Sequence, residues 1–263
     1  MRSELMLLAM DIGTTHSSFG IFQDEKIVAH WRITSSATRT VDESWILINQ
    51  LCMNAKLTVK DITSVIICSV VPNLTFIYER MARLYLKIEP VTVSSSLDVG
   101  LTILYKDPGT VGADRICNAV AGKSKYPLPL IIVDFGTATT FDIISGAGEY
   151  LGGIIAPGVE TSAIDLFRRA AKLPRVEFRF PERVIGKTTE TSMQSGILYG
   201  TVEQVNGLIE RIEKELGQKP CVIATGGFSE LIGPYSEKIE HIDPLLTLEG
   251  LQIIHEIVKK RHS

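Results

Sequence analysis

Two stretches of the chain share one pattern of hydrophobic and polar positions. Residues 6–33 and 130–155 each begin with an apolar strand that ends in Asp-x-Gly-Thr, followed by a second strand, a tight turn and a third strand. Turn-forming residues at 23–26 and 146–149 follow at nearly the same offset, which predicts two hairpins. Two copies in a chain of 263 residues indicate duplicated α/β domains rather than a solenoid, which would need more and shorter repeats.

Helical periodicity follows each copy of this pattern. Apolar spacing predicts helices over 42–56, from 73 to about 86, over 116–124 and 191–216, and after 247, with strands over 64–71, 90–94 and 221–225. We expect Asn73 to cap the second helix, Thr191 with Gln194 to form a capping box, and Thr247 to cap the last helix. The alternation predicts two three-layer α/β units that bind ligands at the carboxyl ends of their strands.

Composition and charge exclude several classes of protein. A hydrophobic share of 45% and a charged share of 22% rule out wholesale disorder. The net charge is −3, and no basic run is longer than residues 259–261, which argues against nucleic-acid and membrane-surface partners. No apolar run approaches the ~20 residues that span a bilayer. The run at residues 5–10 is too short for a secretory signal, so we expect a cytoplasmic protein.

The cysteines and histidines lack the spacings typical of metal sites. The four cysteines are scattered without a CxxC motif, and the five histidines form neither HxxxH nor HxH. The sequence therefore predicts that the thiols are small core residues and that the imidazoles are not zinc ligands.

The duplicated Asp-x-Gly-Thr turn is the first candidate site. In the first copy, residues 11–18 place the Asp11 carboxylate and the backbone N–H groups around Gly13 beside several hydroxyl groups. That combination suits a nucleotide phosphate and its Mg²⁺, whereas a single copy would more simply be an Asp-Gly hairpin turn. Asp134 and Thr137 occupy the same positions in the second copy, and the duplication favours the ligand site.

A second candidate site lies at residues 105–115, where a glycine-rich segment ends in the dipeptide Asp114-Arg115. The carboxylate could accept a proton from a substrate hydroxyl, and the arginine could pair with an anion. The alternative is an acid that stabilises the first turn of a helix, beside a solvated arginine. Glycine pairs at 152–153 and 226–227, each expected to follow a strand, either allow close backbone contact with a flat ligand such as adenine or form plain turns or helix–strand closures.

Together these motifs resemble the type III pantothenate kinase family of the actin/Hsp70/sugar-kinase superfamily. The similarity covers nearly the whole chain, with the motifs in family order: DIGTT at 11–15, GADR at 112–115, VDFGTATTFD at 133–142, GGIIAPG at 152–158, GKTTETSMQSG at 186–196 and ATGG at 224–227. The resemblance implies an α/β fold of two duplicated ribonuclease-H-like (actin-like ATPase) domains with a cleft between them. The repeat spacing divides the chain into residues 1–115 and 116–263, and the last helix could pack back on the first domain.

The resemblance also implies an activity and a set of roles. The reaction is ATP-dependent phosphorylation of pantothenate to 4'-phosphopantothenate, the first step of coenzyme A synthesis, by a phosphotransferase that acts on an alcohol. By position, Asp114 is the expected general base, Asp134 the expected ligand of K⁺ or NH₄⁺, and Asp11 lies near Mg²⁺. The expected ATP contacts are Asp11, Ile12, Gly13, Thr14, Thr15, His16, Ser17, Ser18 and Thr137. The expected pantothenate contacts are Tyr105, Gly112, Ala113, Asp114, Arg115 and Thr189. The family further implies a homodimer with sites shared at the subunit interface.

Two positions depart from the family pattern, and other functions remain open. Thr14 and Thr188 stand where asparagine is usual, which loses the paired donor and acceptor of the amide. The alternatives are another small-molecule kinase or phosphatase of the superfamily such as a sugar kinase, a non-catalytic transcription accessory factor, and an actin-like filament. The dipeptide Asp114-Arg115 and the absence of a basic patch weigh against the accessory factor.

Overall fold

The computed structural model describes residues 6–170 and 172–262, the side chain of residue 262 excepted, and within them two five-stranded sheets. The strands are β1 (Met6–Ile12), β2 (His16–Gln23), β3 (Lys26–Thr34), β4 (Ile62–Ser69), β5 (Val91–Thr92), β6 (Leu130–Phe135), β7 (Ala138–Ile144), β8 (Tyr150–Pro157), β9 (Cys221–Thr225) and β10 (His241–Ile242). The helices are α1 (Val41–Asn54), α2 (Pro72–Met81), α3 (Ala113–Lys125), α4 (Val159–Arg169), α5 (Thr189–Leu216), α6 (Ser229–Ile232) and α7 (Leu246–His262). Two compact units result: unit 1, of residues 6–101, 105–121 and 246–262, and unit 2, of residues 102–104 and 122–245.

The sheet of unit 1 has the strand order β3-β2-β1-β4-β5. β1 lies at its centre, antiparallel to β2 and parallel to β4, and all but one of its residues are buried. The edge strand β3 instead alternates between exposed and half-buried residues, as its period-2 sequence requires. Leu8, Met10 and Ile67 of the sheet pack with Ile48 of α1 and Tyr78 of α2 in a fully buried core.

The last helix of the chain belongs to unit 1. α7 packs on β1, β2 and β4, and its Thr247 Oγ1 donates to Asn118 Oδ1 of α3 at 2.7 Å. Gly250 permits this close approach, because an added Cβ there would lie 2.7 Å from the carbonyl carbon of Cys117. The last helix of the described chain therefore completes unit 1, whose first strands lie at the other end of the sequence.

The sheet of unit 2 repeats the connectivity of unit 1. Its order is β10-β9-β6-β7-β8, with β6 at the centre, antiparallel to β7 and parallel to β9. Position by position, β6 to β10 correspond to β1 to β5. The predicted duplicated α/β fold is therefore confirmed. None of the helices in the described part of the chain has the length and apolar character that crossing a bilayer demands.

The longest helix of the described residues, α5, contributes many side chains to the hydrophobic core of unit 2. Over 28 residues it buries an apolar stripe that includes Leu198, Val205 and Ile209 against the sheet residues Ile131 and Val133. The helix ends where predicted, because Gly217 adopts the left-handed conformation with φ 66°.

The first residues of the helices differ from the sequence prediction, and α3 begins at Ala113, three residues before the predicted start. The three predicted caps differ as well. α2 begins at Pro72, which needs no backbone N–H at the first helical position, so Asn73 lies inside the first turn. The capping box of α5 is formed by Thr188 and Thr191, three residues earlier than predicted. α7 begins one residue before Thr247. In each case the hydrophobic period located the helix, and local hydrogen bonding decided its first residue.

Candidate functional site

The turn between β1 and β2 closes tightly on itself. The Gly13 N–H donates to the His16 carbonyl oxygen at 3.0 Å. An added Cβ at Gly13 would lie 2.8 Å from that oxygen, so the turn requires glycine. Asp11, which is half-buried, occupies the second-last position of β1, directly before Ile12, which is fully buried. Thr14, at the tip, is exposed. The turn thus presents a carboxylate and hydroxyl groups in one small loop.

Ser35, which follows β3, supports this turn and was not singled out by the sequence analysis. Its hydroxyl donates to the Gly13 carbonyl oxygen at 2.6 Å, and its N–H donates to the Thr15 carbonyl oxygen at 2.9 Å. The Ser17 Oγ lies 2.8 Å from the Ser35 Oγ. Because the Ser35 proton is already given to Gly13, the buried Ser17 hydroxyl is the donor of that bond.

A cationic side chain also lies beside the turn. Arg32 of β3 pairs in register with Ser18 of β2, and its Nη2 donates to Nδ1 of His16 at 3.0 Å. Accepting this bond requires an unprotonated Nδ1 on His16. Arg32 was not among the predicted site residues either, because its position beside the turn depends on the register between β3 and β2.

The first turn of α3 holds the acid–base dipeptide. The Asp114 Oδ1 accepts the N–H of Arg115 at 2.8 Å, and the Gly112 carbonyl oxygen accepts the Ile116 N–H at 3.1 Å. An added Cβ at Gly112 would overlap the Asp114 carboxylate, so a side chain at this position would displace the carboxylate. The Arg115 side chain is 7% exposed, which contradicts the alternative of a solvated arginine. Ala113 is buried and Tyr105 is half-buried.

Two buried thiols connect the turn after β1 with the start of α3. Cys68 of β4 pairs in register with Asp11, and Cys117 lies in α3. The hydrogen bond with Cys117 and complete burial raise the pKa of the Cys68 thiol well above its usual range, and the charges of Asp11 and Asp114 act in the same direction. Both aspartates therefore lie within electrostatic reach of one sulfur atom. The structure brings together the two acids that the sequence had placed in separate motifs.

The turn between β6 and β7 is the equivalent feature of unit 2. Asp134 is half-buried and lies between Thr140 of β7 and Thr225 of β9 in the strand register. Gly226 follows β9 with φ 86°, and an added Cβ there would overlap the Asp134 Oδ1 and lie 2.7 Å from the Phe135 nitrogen. This glycine is therefore necessary for the position of the carboxylate.

Thr137 lies at the exposed tip of the same turn. Its backbone carbonyl group is hydrogen-bonded to residues at the start of α4. The Thr137 carbonyl oxygen accepts the Gly158 N–H at 3.2 Å and the Thr161 hydroxyl at 2.6 Å. An added Cβ at Gly158 would lie 2.5 Å from the Gly136 carbonyl oxygen. The N-terminus of α4 thus fixes the turn and leaves the Thr137 side chain accessible.

Two buried hydroxyl groups near Asp134 lack a hydrogen-bond partner within the described residues. They belong to Thr225, the register partner of Asp134, and to Thr139, the register partner of Phe135. A buried hydroxyl without a partner costs about 1–3 kcal/mol, so such groups usually have a ligand or ordered water. Asp134 and Thr225 together offer oxygen atoms of the kind that hard cations prefer.

The start of α5 explains one departure from the family pattern. Thr188 caps the helix by accepting the Thr191 N–H at 3.1 Å, and Thr189 is the exposed first helical residue. An added Cβ at Gly186 would lie 2.7 Å from the Ser192 Oγ, so the chain passes very close to the first turn. The threonine at position 188 keeps a capping oxygen where an asparagine would supply one as well.

The two glycine pairs have different surroundings. Gly152 and Gly153 lie within β8 rather than after a strand, in register with Ile143 and Asp142 of β7. Gly152 has φ 131° at a register shift of this pair of strands, so the expectation that this pair follows a strand, where it could form a plain turn, was wrong. The later pair, beginning at Gly226, does follow a strand, as predicted.

The sequence matches the family model described as "Type III pantothenate kinase" over residues 7–211. A type III pantothenate kinase of Anaeromyxobacter sp. (strain Fw109-5) is 49% identical over 251 residues, which cover 95% of this chain and 99% of the relative. One of Bacillus cytotoxicus is 47% identical over 251 residues, which cover 95% of this chain and 96% of the relative. The similarity thus extends over nearly the full length of both relatives.

Among solved structures, the ROK hexokinase of Thermus thermophilus superposes with a TM-score of 0.51. The match covers 97% of this chain and 100% of the hexokinase, at 12% sequence identity. At that identity the likeness concerns the fold alone, which is the actin-like ATPase fold of the sugar kinases.

Proposed function

The chain belongs to the type III pantothenate kinase family, and from this membership we propose which residues carry out the reaction. The activity is the ATP-dependent phosphorylation of pantothenate to 4'-phosphopantothenate, the first step of coenzyme A synthesis. In phosphoryl transfer the protein contributes mostly positioning and charge stabilisation, so the question is which groups hold the triphosphate and which group orients the attacking hydroxyl.

Asp114 is proposed as the general base. Its Oδ1 is held by the Arg115 N–H at 2.8 Å, which orients the carboxylate and leaves its other oxygen with acceptor capacity. The carboxylate accepts the proton of the pantothenate primary hydroxyl as the hydroxyl oxygen attacks the γ-phosphorus. The observation that carries this assignment is the geometry at the start of α3, where the Arg115 N–H holds one carboxylate oxygen of Asp114 beside the buried Arg115 side chain.

The triphosphate is proposed to contact the turn of residues 11–18 and Thr137. The residues fit an anionic ligand, because the turn combines glycine, hydroxyl groups and the neighbouring Arg32 guanidinium. Asp11 is the proposed neighbour of Mg²⁺, which when bound offsets phosphate charge. Ser35 holds the turn in place through three hydrogen bonds to Gly13, Ser17 and Thr15, and so keeps its backbone preorganised.

Asp134 is proposed to bind a monovalent cation, K⁺ or NH₄⁺. Its half-buried carboxylate faces the backbone of Gly226, and the unpartnered Thr225 hydroxyl is its neighbour in the register. These oxygen atoms fit a cation of low charge density, and such an ion would partly neutralise the transferring phosphate.

Pantothenate is proposed to contact a set of residues that differ in character. Arg115, which is buried, offers a guanidinium suited to the substrate carboxylate. Gly112 and Ala113 offer backbone groups at the start of α3, and Tyr105 and Thr189 offer hydroxyl groups.

The protein is proposed to act as a cytoplasmic homodimer whose sites are shared at the subunit interface. Unit 2 exposes apolar side chains on two neighbouring elements, Leu151 and Ile155 on β8 and Ile164 and Leu166 on α4. Leu151 and Ile155 lie on the same exposed face of β8, where Ile155 is 66% exposed, and exposed apolar side chains that share a face are typical of protein interfaces.

The assignment of the base is tested with the substitution Asp114→Asn. The amide oxygen can still accept the Arg115 N–H, so the fold and ATP affinity should be retained, while ADP release in the presence of pantothenate should fall about 10²- to 10⁴-fold. Asp107→Asn is the matched control, because Asp107 is a nearby exposed acid that likewise caps a short helix by accepting the Gly109 N–H at 3.1 Å. Near-wild-type turnover of Asp114→Asn would contradict the assignment, as would an equal loss in both variants.

A further inference from the structure

Three side chains with different ligand atoms meet at one edge of the unit 2 sheet. The Cys221 Sγ, a Glu240 carboxylate oxygen and a His241 imidazole nitrogen all lie within 4.8 Å of one another. Cys221 is partly buried, whereas Glu240 and His241 are exposed. Neither the thiols nor the imidazoles were expected to bind metal, because 18 residues lie between Cys221 and Glu240 and no spacing motif joins them.

Strand pairing explains why these residues meet. β10 runs parallel to β9, with His241 opposite Ile223, and the Glu240 N–H donates to the Val222 carbonyl oxygen at 2.9 Å. The segment that leads into β10 therefore lies beside the beginning of β9, where Cys221 stands. The far end of β9, at Thr225, is the end that pairs with Asp134. At ~3.3 Å per residue, the cluster is about 13 Å from that end, so it is separate from the proposed cation ligand Asp134.

The donor set indicates the class of ion. A thiolate, an imidazole and a carboxylate are the ligands of zinc and similar cations, whereas magnesium and calcium prefer oxygen alone. Tetrahedral coordination at ordinary zinc bond lengths places ligand atoms about 3.3 to 3.6 Å apart. The three ligand atoms lie within 4.8 Å of one another, so small side-chain rotations would bring them into that range. Glu240 and His241 are exposed and can make such rotations. Three protein ligands leave the fourth position to water.

The surrounding charges are compatible with an incoming cation. Glu240 pairs with the Lys219 Nζ at 3.0 Å, but the lysine side chain is 77% exposed, so this ion pair is weak and the lysine can turn away. The Tyr126 ring packs against the imidazole of His241 with centroids 5.1 Å apart and helps to orient it. Burial and the charge of Glu240 raise the pKa of the Cys221 thiol, while Lys219 lowers it. A bound cation would replace the thiol proton: the S–H bond breaks, the proton passes to solvent, and the sulfur–metal bond forms.

We propose that Cys221, Glu240 and His241 form a binding site for a thiophilic divalent cation of the zinc class. The site links β10, an edge strand of only two residues, to β9. Because the three ligands meet only in the folded chain, the ion stabilises unit 2 by mass action and does not take part in phosphoryl transfer.

Cobalt(II) titration of the full-length reduced protein tests the site, with Co²⁺ as the probe and Zn²⁺ as the competitor. A thiolate ligand produces a charge-transfer absorption in the near ultraviolet, which should saturate at one Co²⁺ per chain and disappear when Zn²⁺ is added. Cys221→Ser should abolish this band, and His241→Asn, on an exposed residue that leaves the thiol in place, should weaken Co²⁺ binding more than about tenfold. Cys52→Ser, which changes a buried cysteine of unit 1, is the matched control and should keep the band.

Thermal unfolding followed by circular dichroism gives a second readout. Zn²⁺ should raise the midpoint of the wild-type protein and of Cys52→Ser, and should leave that of His241→Asn unchanged. The proposal is overturned if the wild-type protein gives no charge-transfer band. It is equally overturned if the band persists in Cys221→Ser, or if zinc stabilises His241→Asn as much as wild type.

Discussion

Replacing Gly226 with alanine should disable the proposed cation ligand while leaving the protein folded. Gly226 has φ 86°, and an added Cβ would overlap the Asp134 Oδ1 and lie 2.7 Å from the Phe135 nitrogen and 2.8 Å from its carbonyl carbon. Backbone atoms of the central strand β6 cannot move aside, so the chain at position 226 must move away from β6 and the carboxylate of Asp134 must shift as well. We therefore expect Gly226→Ala to act on the site chiefly by displacing Asp134.

The energetic cost of this substitution has two parts. The left-handed backbone costs about 1–2 kcal/mol for a residue with a side chain, and overpacking adds about 1–3 kcal/mol. The sum of about 2–5 kcal/mol is below the stability of most domains, so the variant should fold at low temperature. Gly217→Ala is the matched control, because Gly217 also has a positive φ of 66° but nothing lies within 4 Å of the added Cβ. Gly217→Ala therefore has the energetic cost of a left-handed backbone conformation but no steric clash at the added Cβ.

The assay is ADP release as a function of potassium concentration, with pantothenate and ATP saturating. Displacing a catalytic group by about 1 Å can lower the rate ~10²-fold, so Gly226→Ala should lose most turnover and require more potassium for half-maximal rate. Gly217→Ala should retain the wild-type potassium response with a lower urea midpoint. If Gly226→Ala responds to potassium like Gly217→Ala, or if wild-type turnover is indifferent to potassium and ammonium, the proposed role of Asp134 is wrong.

Two further predictions concern stability. Thr188→Ala removes the oxygen that caps α5 and should lower the free energy of unfolding by about 1 kcal/mol in urea titrations, whereas Thr188→Asn should preserve it; equal losses in both would contradict the capping role. Burial lowers the pKa of His255 below its ordinary value of 6.5, with Glu256 opposing the shift. The unfolded chain therefore protonates His255 more readily than the folded protein does. The free energy of unfolding is consequently highest above pH 6.5 and falls as the pH drops from 6.5 towards the lower pKa of the folded state. The decline in urea midpoint from about pH 8 to about pH 5.5 should be shallower in His255→Gln, and an unchanged slope would refute the assignment.

Much of the fold followed from local patterns in the sequence. The two Asp-x-Gly-Thr copies predicted the duplicated hairpins, because alternation of period 2 and a tight turn depend on a few neighbouring residues. The first helical residues were less predictable. Thr188 rather than Thr191 caps α5, since the choice depends on which hydroxyl meets a particular N–H. The second glycine pair was correctly predicted to follow a strand, which is β9. Gly152 instead lies inside β8 at a register shift, and no local pattern in the sequence indicates that shift.

The candidate site was predicted as separate motifs, and their spatial relation within each unit came from packing. The sequence placed Asp11 and Asp114 in different segments, and only the pairing of β4 with β1 and the packing of α3 bring both within reach of Cys68. Ser35 and Arg32 were not predicted as site residues because neither belongs to a sequence motif. Their roles arise from strand register, which the sequence of one strand alone does not specify.

The sequence by itself determined the duplicated α/β architecture, the glycines of the turns and the acids at the ends of β1 and β6. These features depend on interactions within a few residues. Tertiary structure alone decided that α7 completes unit 1, that Gly226 lies against Asp134, and that Cys221 meets His241. Such contacts join segments far apart in the chain, and their register is set by the burial of the whole core rather than by any local pattern.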